Sequence, residues 1–397
     1  MTIQQFPVLL LVLCTWAAKI HASPWAPFQT DPAWQSPGCG LQKAFIGRKP
    51  WSPLYPELQA NYWTFGWRAE DLGAQEALRI KGVFAELRYL SWTLYDSETG
   101  DFLSHLNDAM IEADPDSEGP LQSYTLRVVS EEAGQAERSN QLIVPRKVRK
   151  PVLVLRYYEE YQAPNPYGSQ KLPRIERVAL VDDTVRMCPP PLGWQLPAGN
   201  AKNIVKAVWD SRKMKNPELQ FYRVKGAGLY PNPDNIYVST RLFTEEFGDT
   251  AILRVKLPEQ AEIGRGGLIR YQSFCIGNLL NTLTPKNGCV MDRALPRDAE
   301  GWTTLVISDR ADVRAEATRL GYASLAKGTR FPLILMRQML AKDDFPGSLK
   351  AVPMTEGSGD LEGKAADLFI GDYAPRGFYC SAESFLKLGL ACHGPAL

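Results

Sequence analysis

Two pairs of aspartates have the types and spacing for chemistry: Asp108 with Asp114, and Asp292 with Asp298, six residues apart in each case. Paired carboxylates serve glycosidases as general acid and as nucleophile or base, one on each side of the scissile bond. Both pairs stand in the same motif context, which suits a shared turn better than one asymmetric active site. Near each pair an arginine opens a strand, in Arg88-Tyr89-Leu90-Ser91 and Arg270-Tyr271-Gln272-Ser273. A second arginine, Arg156 or Arg337, closes an apolar run, and such arginines can pair with the aspartates and tie sheet to loop. The functional alternative is a polar pocket in which Tyr237, Arg241, Arg270, Tyr271 and Ser273 grip an anionic or hydroxylated ligand.

Other chemistries find less material. Beyond the first 22 residues the only histidines are His105 and His393, the latter the fifth residue from the end, so a Ser-His-Asp triad lacks a well-placed base. There is no Gly-x-Ser-x-Gly elbow and no His-Glu-x-x-His helix. Gly264-Arg265-Gly266-Gly267 lacks the Lys-Ser/Thr of a phosphate loop and is expected to join strands. Asp114-Pro115-Asp116-Ser117-Glu118-Gly119 sets oxygen side chains at alternate positions, making Asp114, Asp116 and Glu118 the candidate calcium ligands. Thr125 occupies the twelfth position, where an EF-hand loop needs a bidentate acid, so an acidic hairpin turn is the leading expectation. No catalytic residue and no cofactor other than that calcium is expected.

The elements that position these residues come in two similar series. Residues 58–160 carry Tyr62, Leu78-Arg79-Ile80-Lys81, Arg88-Tyr89-Leu90-Ser91, Asp108, Asp114, Thr125-Leu126-Arg127-Val128 and Pro151 to Arg156. Residues 233–343 answer with Tyr237, Leu253-Arg254-Val255-Lys256, Arg270-Tyr271-Gln272-Ser273, Asp292, Asp298, Thr304-Leu305-Val306-Ile307 and Pro332 to Arg337. The gap from tyrosine to leucine is sixteen residues in both. Such a unit is too long for a solenoid repeat of about 20–50 residues and points to two related domains. Alternation of apolar and basic residues in Leu78 to Lys81 and Leu253 to Lys256 predicts strands with one buried face. The continuous runs Val152 to Leu155 and Leu333 to Met336 predict central strands buried on both faces. The fold class is therefore mainly β, two tandem antiparallel sandwiches with short helices at Asn203–Lys213 and Asp312–Leu320. A Pro-rich connector spans 161–232, and a tail from 344 to 397 packs on the second copy. Six of the nine tryptophans beyond Trp16 (Trp25, Trp34, Trp51, Trp63, Trp67 and Trp92) lie in or before the first copy. They can stack on sugar rings, but core packing is the first expectation.

Phe6 to Ala18 is a short apolar run followed by a small residue at Ala22, the pattern of a secretory signal over residues 1–22, although no basic residue precedes it. A Trp/Pro-rich segment fills 23–57. Removing the signal takes Lys19 and no acid, so 45 basic residues become 44 against 44 acids and the net charge is zero. That is a poor start for a nucleic-acid binder, which needs a basic stripe, and no nucleic-acid partner is expected. No further run is long enough to span a membrane. Six cysteines remain after Cys14 leaves, an even number that predicts three disulfides among 15 connectivities. Proximity favours Cys275 with Cys289 and Cys380 with Cys392, leaving Cys39 for Cys188.

Pro233-Asp234-Asn235-Ile236-Tyr237, the Arg270 to Ser273 strand, Asp292, the Gly301 turn and Pro332 to Arg337 resemble the bacterial β-sandwich domains called domain of unknown function 1214, often found with domain of unknown function 1254. The second half is also similar to secreted bacterial proteins in which an Arg-Tyr-x-Ser strand precedes two cysteines and the chain ends in Pro-Arg-x-x-Tyr-Cys, here Pro375 to Cys380. The resemblance implies a jelly-roll-like sandwich and supplies no reaction. The expectation is thus an exported, periplasmic or secreted, non-catalytic binding or structural protein of the cell envelope. Its partner would be a small molecule or envelope component. The alternative is a secreted carboxylate hydrolase acting on carbohydrate, with Asp292 and Asp298 or their first-copy equivalents as acid and base.

Overall fold

Alternating side chains build a chain that is mainly β. The computed structural model describes residues 39–43, 57, 60–84, 87–117, 122–133, 139–160, 172–192, 211–225, 230–258, 267–279, 284–285, 288–356 and 360–393. The expected signal segment, Trp25, Trp34, Trp51, Glu118 and most of the helix expected at Asn203–Lys213 lie outside the described residues. Of that helix, Ser211–Met214 forms a short 3-10 turn.

In the N-terminal half the strands are β1 (Gln42–Lys43), β2 (Ala60–Gly66), β3 (Glu76–Val83), β4 (Leu87–Asp96), β5 (Phe102–Asn107), β6 (Ser123–Ser130), β7 (Gln141–Val144), β8 (Pro151–Glu160), β9 (Arg174–Ala179) and β10 (Val185–Arg186). They form two five-stranded sheets, β1-β2-β8-β4-β5 and β10-β9-β3-β6-β7. One core joins them: Trp63, Phe65, Trp92 and Leu155 from the first sheet meet Leu78, Ile80, Leu126 and Val128 from the second. Each such side chain contributes about 1.5–3 kcal/mol on full burial. Trp63, Trp67 and Trp92 are at most 1% exposed, so these three tryptophans are core residues.

The C-terminal half contains β11 (Glu218–Leu219), β12 (Arg223–Val224), β13 (Asn235–Arg241), β14 (Thr250–Lys256), β15 (Tyr271–Asn278), β16 (Cys289–Met291), β17 (Trp302–Ser308), β18 (Ala323–Leu325), β19 (Pro332–Met339), β20 (Met354–Thr355) and β21 (Arg376–Cys380). Sheets β13-β19-β15-β16 and β11-β21-β14-β17-β18 enclose a second core, with a small β12-β20 sheet beside them. Helices Ala311–Arg319 and Ala382–Leu388 cover the outer face of the β14, β17 and β21 sheet through Val313, Ala317 and Phe385.

Strand order corresponds between the halves: β2-β8-β4-β5 matches β13-β19-β15-β16, and β9-β3-β6-β7 matches β21-β14-β17-β18. Registers correspond too. Tyr62 and Ser91 are both opposite Arg156, as Tyr237 and Ser273 are both opposite Arg337. One motif pairing needs correction. Leu78 lies opposite Val128 and Leu253 opposite Leu305, so Val128 rather than Leu126 answers to Leu305. The β6–β7 and β17–β18 neighbours are parallel, a departure from the antiparallel expectation. A parallel neighbour needs a crossover, and helix Ala311–Arg319 supplies it in the second half. Within the stretches read as connector and tail, β9 pairs with β3 and β21 with β14. Disulfides join Cys39 to Cys188, Cys275 to Cys289 and Cys380 to Cys392.

Candidate functional site

Because side chains alternate along a strand, the face of each inner sheet turned away from its core carries the polar set. On β4, Leu90, Trp92 and Leu94 enter the core, so Tyr89, Ser91, Thr93 and Tyr95 face outward. Arg156 and Tyr158 of β8 and Tyr62 of β2 share that face through the register. The second half presents Tyr271 and Ser273 of β15, Arg337 and Met339 of β19, and Asn235 and Tyr237 of β13. These two faces pack on each other: Ala60, Tyr89 and Tyr158 contact Tyr271 and Met339 in one buried cluster.

The arginines and aspartates of the motifs meet across this contact. Arg88 Nη1 and Nη2 donate to Asp292 Oδ1 and Oδ2 at 2.6 and 2.7 Å, and both side chains are 0% exposed. Asp292 Oδ2 also accepts from the Gln272 amide at 2.9 Å. Reciprocally, Arg270 Nη1 donates to Asp108 Oδ2 at 2.7 Å. Arg88 Nε donates to the Arg270 carbonyl at 2.7 Å, and Arg270 Nη1 to the Arg88 carbonyl at 3.2 Å. The contact is thus nearly self-complementary, each half giving the arginine that the other half's aspartate needs.

Most of the remaining groups on this face are also engaged, while Ser91 Oγ and Tyr271 OH are buried without a hydrogen-bond partner among the described residues. Arg337 ion-pairs with Glu57 and donates to Ser273 Oγ at 3.3 Å. Among the described residues Arg156 has no carboxylate mate; it donates to Thr93 Oγ1, Tyr95 OH and the Tyr230 carbonyl at 2.7–3.0 Å. Asp234 accepts from Tyr89 OH at 2.6 Å and from Asn107 Nδ2 at 3.1 Å, with His105 Nε2 also at 3.1 Å. Burial pushes the Asp234 carboxyl up, but the bonds to His105, Tyr89 and Asn107 together hold it below its ordinary value. Burial pushes Asp108 above its ordinary value against the opposing pull of Arg270. Burial likewise raises the phenols of Tyr62, Tyr89 and Tyr271, with Tyr158, Asp234 and Glu57 respectively adding to it. These tyrosines stay neutral near pH 7 and offer no phenolate base.

Of the sequence-predicted ligand set, Tyr237, Arg270, Tyr271 and Ser273 belong to this contact. Tyr271 and Ser273 are 0% exposed. Arg241 stands apart at the far end of β13, four residues and about 13 Å from Tyr237. The aspartates do not form acid–base couples. Asp292 is enclosed by Arg88, while Asp298 Oδ1 accepts from the Trp302 and Glu300 amides at 2.7 and 3.2 Å and shapes the turn at Gly301. Gly301 has φ +85°, which favours glycine. Asp114 Oδ2 is held by the Ser123 and Thr125 hydroxyls at 2.9 and 3.2 Å, and Asp116 is exposed. Among the described residues, the group with metal-ligand proximity is Glu57, Cys275 and Cys289, whose two sulfurs are already joined. A cavity of about 220 Å³ opens elsewhere, between Met214, Tyr222, Leu361 and Ala365.

Glu57, Tyr158 and Asp234 were not picked out as site residues by the sequence reading. A signal existed for Glu57, which precedes Tyr62 by five residues as Asn232 precedes Tyr237.

No known protein family and no curated protein matches the chain. Among solved structures it is similar to an uncharacterised protein of Burkholderia cenocepacia, at 16% identity and a TM-score of 0.50 over 76% of each chain. A protein of Vibrio parahaemolyticus aligns 86% of its length with 72% of this chain, at 13% identity and a TM-score of 0.39. The Burkholderia likeness shows a shared, mainly β fold.

Proposed function

We propose that this chain is an exported, non-catalytic binding or structural protein of the cell envelope, built from two copies of one sandwich unit akin to the domains of unknown function 1214 and 1254. One observation carries the reading: Asp292 and Asp108 are spent on arginines of the opposite half, with Arg88 bidentate on Asp292 at 0% exposure. A carboxylate in that position has no path to a substrate. Three disulfides support export, because such bonds persist in oxidising compartments. Corresponding strand orders and registers support the duplication.

Purified, disulfide-intact protein screened on glycan and ester substrates tests the reading. It predicts no turnover on any of them. A hydrolysis that disappears in Asp292→Asn, in a variant that stays folded, would favour the carboxylate hydrolase instead.

A further inference from the structure

We propose that Arg241 centres an oxyanion-binding site, taking a carboxylate or phosphate group at the end of β13. Arg241 lies opposite Leu333, and the register-matched position of the first half is Gly66, opposite Val152. The arginine is therefore no part of the framework common to both halves. Its guanidinium lies 4.7 Å from the Phe243 ring centroid and 5.6 Å from that of Phe331. Nη1 donates to Ser211 Oγ at 3.3 Å. Nε is buried and has no hydrogen-bond partner. No carboxylate among the described residues is within ion-pair distance; nearby Glu246 pairs with Lys215.

An arginine in this state is chemically incomplete, since a desolvated N–H without an acceptor costs free energy that a bond to an anion recovers. With Ser211 on the Nη1 corner, the Nε/Nη2 edge keeps two parallel donors, the fork that fits the paired oxygens of a carboxylate or phosphate once the groups covering Nε move aside. The two phenyl rings exclude water from the guanidinium face, which strengthens a charge-assisted bond formed at its edge. Burial, and then the neighbouring charge of Arg212, hold the Arg241 guanidinium below its ordinary pKa, and the charge of a bound anion opposes both effects. Arg156, which also lacks a carboxylate, differs in placing its donors on two hydroxyls and a carbonyl. The site goes beyond the functional reading above, because a binding protein and a hydrolase can equally carry it.

Inorganic phosphate and acetate, titrated separately into disulfide-intact protein at an ionic strength fixed with chloride, provide the test by calorimetry and by the shift in Tm. Wild type is expected to bind at least one of the two saturably, and Arg241→Gln to bind it about tenfold more weakly or worse, with Arg241→Lys between them. The preferred ion identifies which oxyanion the site takes. Absence of saturable binding to either ion, or equal binding by wild type and Arg241→Gln, overturns the proposal. Should Arg241→Gln fail to fold, Arg241→Lys keeps the charge, removes the fork and carries the same comparison: weaker binding supports the site, and unchanged binding overturns it.

Discussion

Arg88 and Asp292 are both removed from water, so each depends on the other to offset its desolvation. Arg88→Met leaves the Asp292 carboxylate buried without its mate and should cost about 3–5 kcal/mol in urea unfolding, whereas Arg88→Met with Asp292→Leu should recover most of the loss. A double variant no better than the single one would contradict the pairing argument. The Arg270–Asp108 pair is 24% and 20% exposed and should matter less, so the two pairs are not energetic equivalents. Asp234 gives a pH signature. Its folded-state pKa lies below the ordinary carboxylate value, so its stabilisation is complete above about pH 4 and is lost as pH falls through the folded value. Asp108 has the opposite sign: its raised pKa makes ionisation costly as pH rises through the same region. Urea unfolding across the acid range should show a shallower loss of stability for Asp234→Asn than for wild type, and parallel curves would remove Asp234 from the account. The residue types at these positions were legible in the sequence, since arginine, aspartate and tyrosine recur in both motif series. Their partners were not. Arg88 meets Asp292 across 204 residues because two sheets dock, and no local pattern encodes that docking.

Strands were the most legible elements, because a period of two marks one buried face wherever Leu78 to Lys81 or Leu253 to Lys256 occurs. The same period explains the misplaced motif in β6. Sliding a strand by two residues keeps every side chain on its face, so Leu126 and Val128 were equivalent by pattern and the register separated them. Short strands such as β9 and β21 stayed hidden among prolines and cysteines. Gly377 of β21 shows why that strand is where it is: a Cβ there would run into the Ile252 carbonyl of β14. Gly377→Ala should therefore push the strands apart at a cost of about 1–3 kcal/mol, and wild-type stability in this variant would mean that β21 does not sit against β14. Cys275 and Cys289 are directly opposed on β15 and β16 and close a loop with a sequence separation of 14, for which the chain-entropy model gives about 3 kcal/mol. Peptide mapping without reduction should recover Cys275 linked to Cys289, Cys380 to Cys392 and Cys39 to Cys188. Recovery of both Cys275 and Cys289 as free thiols from protein isolated without reductant would sink the pairing.

At the scale of the whole molecule, the two sandwiches share a buried face instead of hanging on a linker. Tyr158 makes edge contacts with Tyr62, Tyr89 and Tyr271, whose ring centroids lie 5.3–6.2 Å away, and so touches both halves at once. Buried aromatic pairs of this kind contribute about 0.5–1.5 kcal/mol each beyond their area. Coupling of this sort makes the halves unfold together, and a calorimetric scan of Tyr158→Ala should begin to separate one transition into two. The central claim is that Asp108 and Asp292 hold the halves together and do not act on a substrate. The most direct measurement is the stability of Asp292→Ala set beside its activity on a glycan panel. The account predicts a variant that melts well below wild type, by an amount corresponding to about 3–5 kcal/mol, with no hydrolysis in either protein. A variant as stable as wild type that has lost a measurable hydrolysis would contradict it.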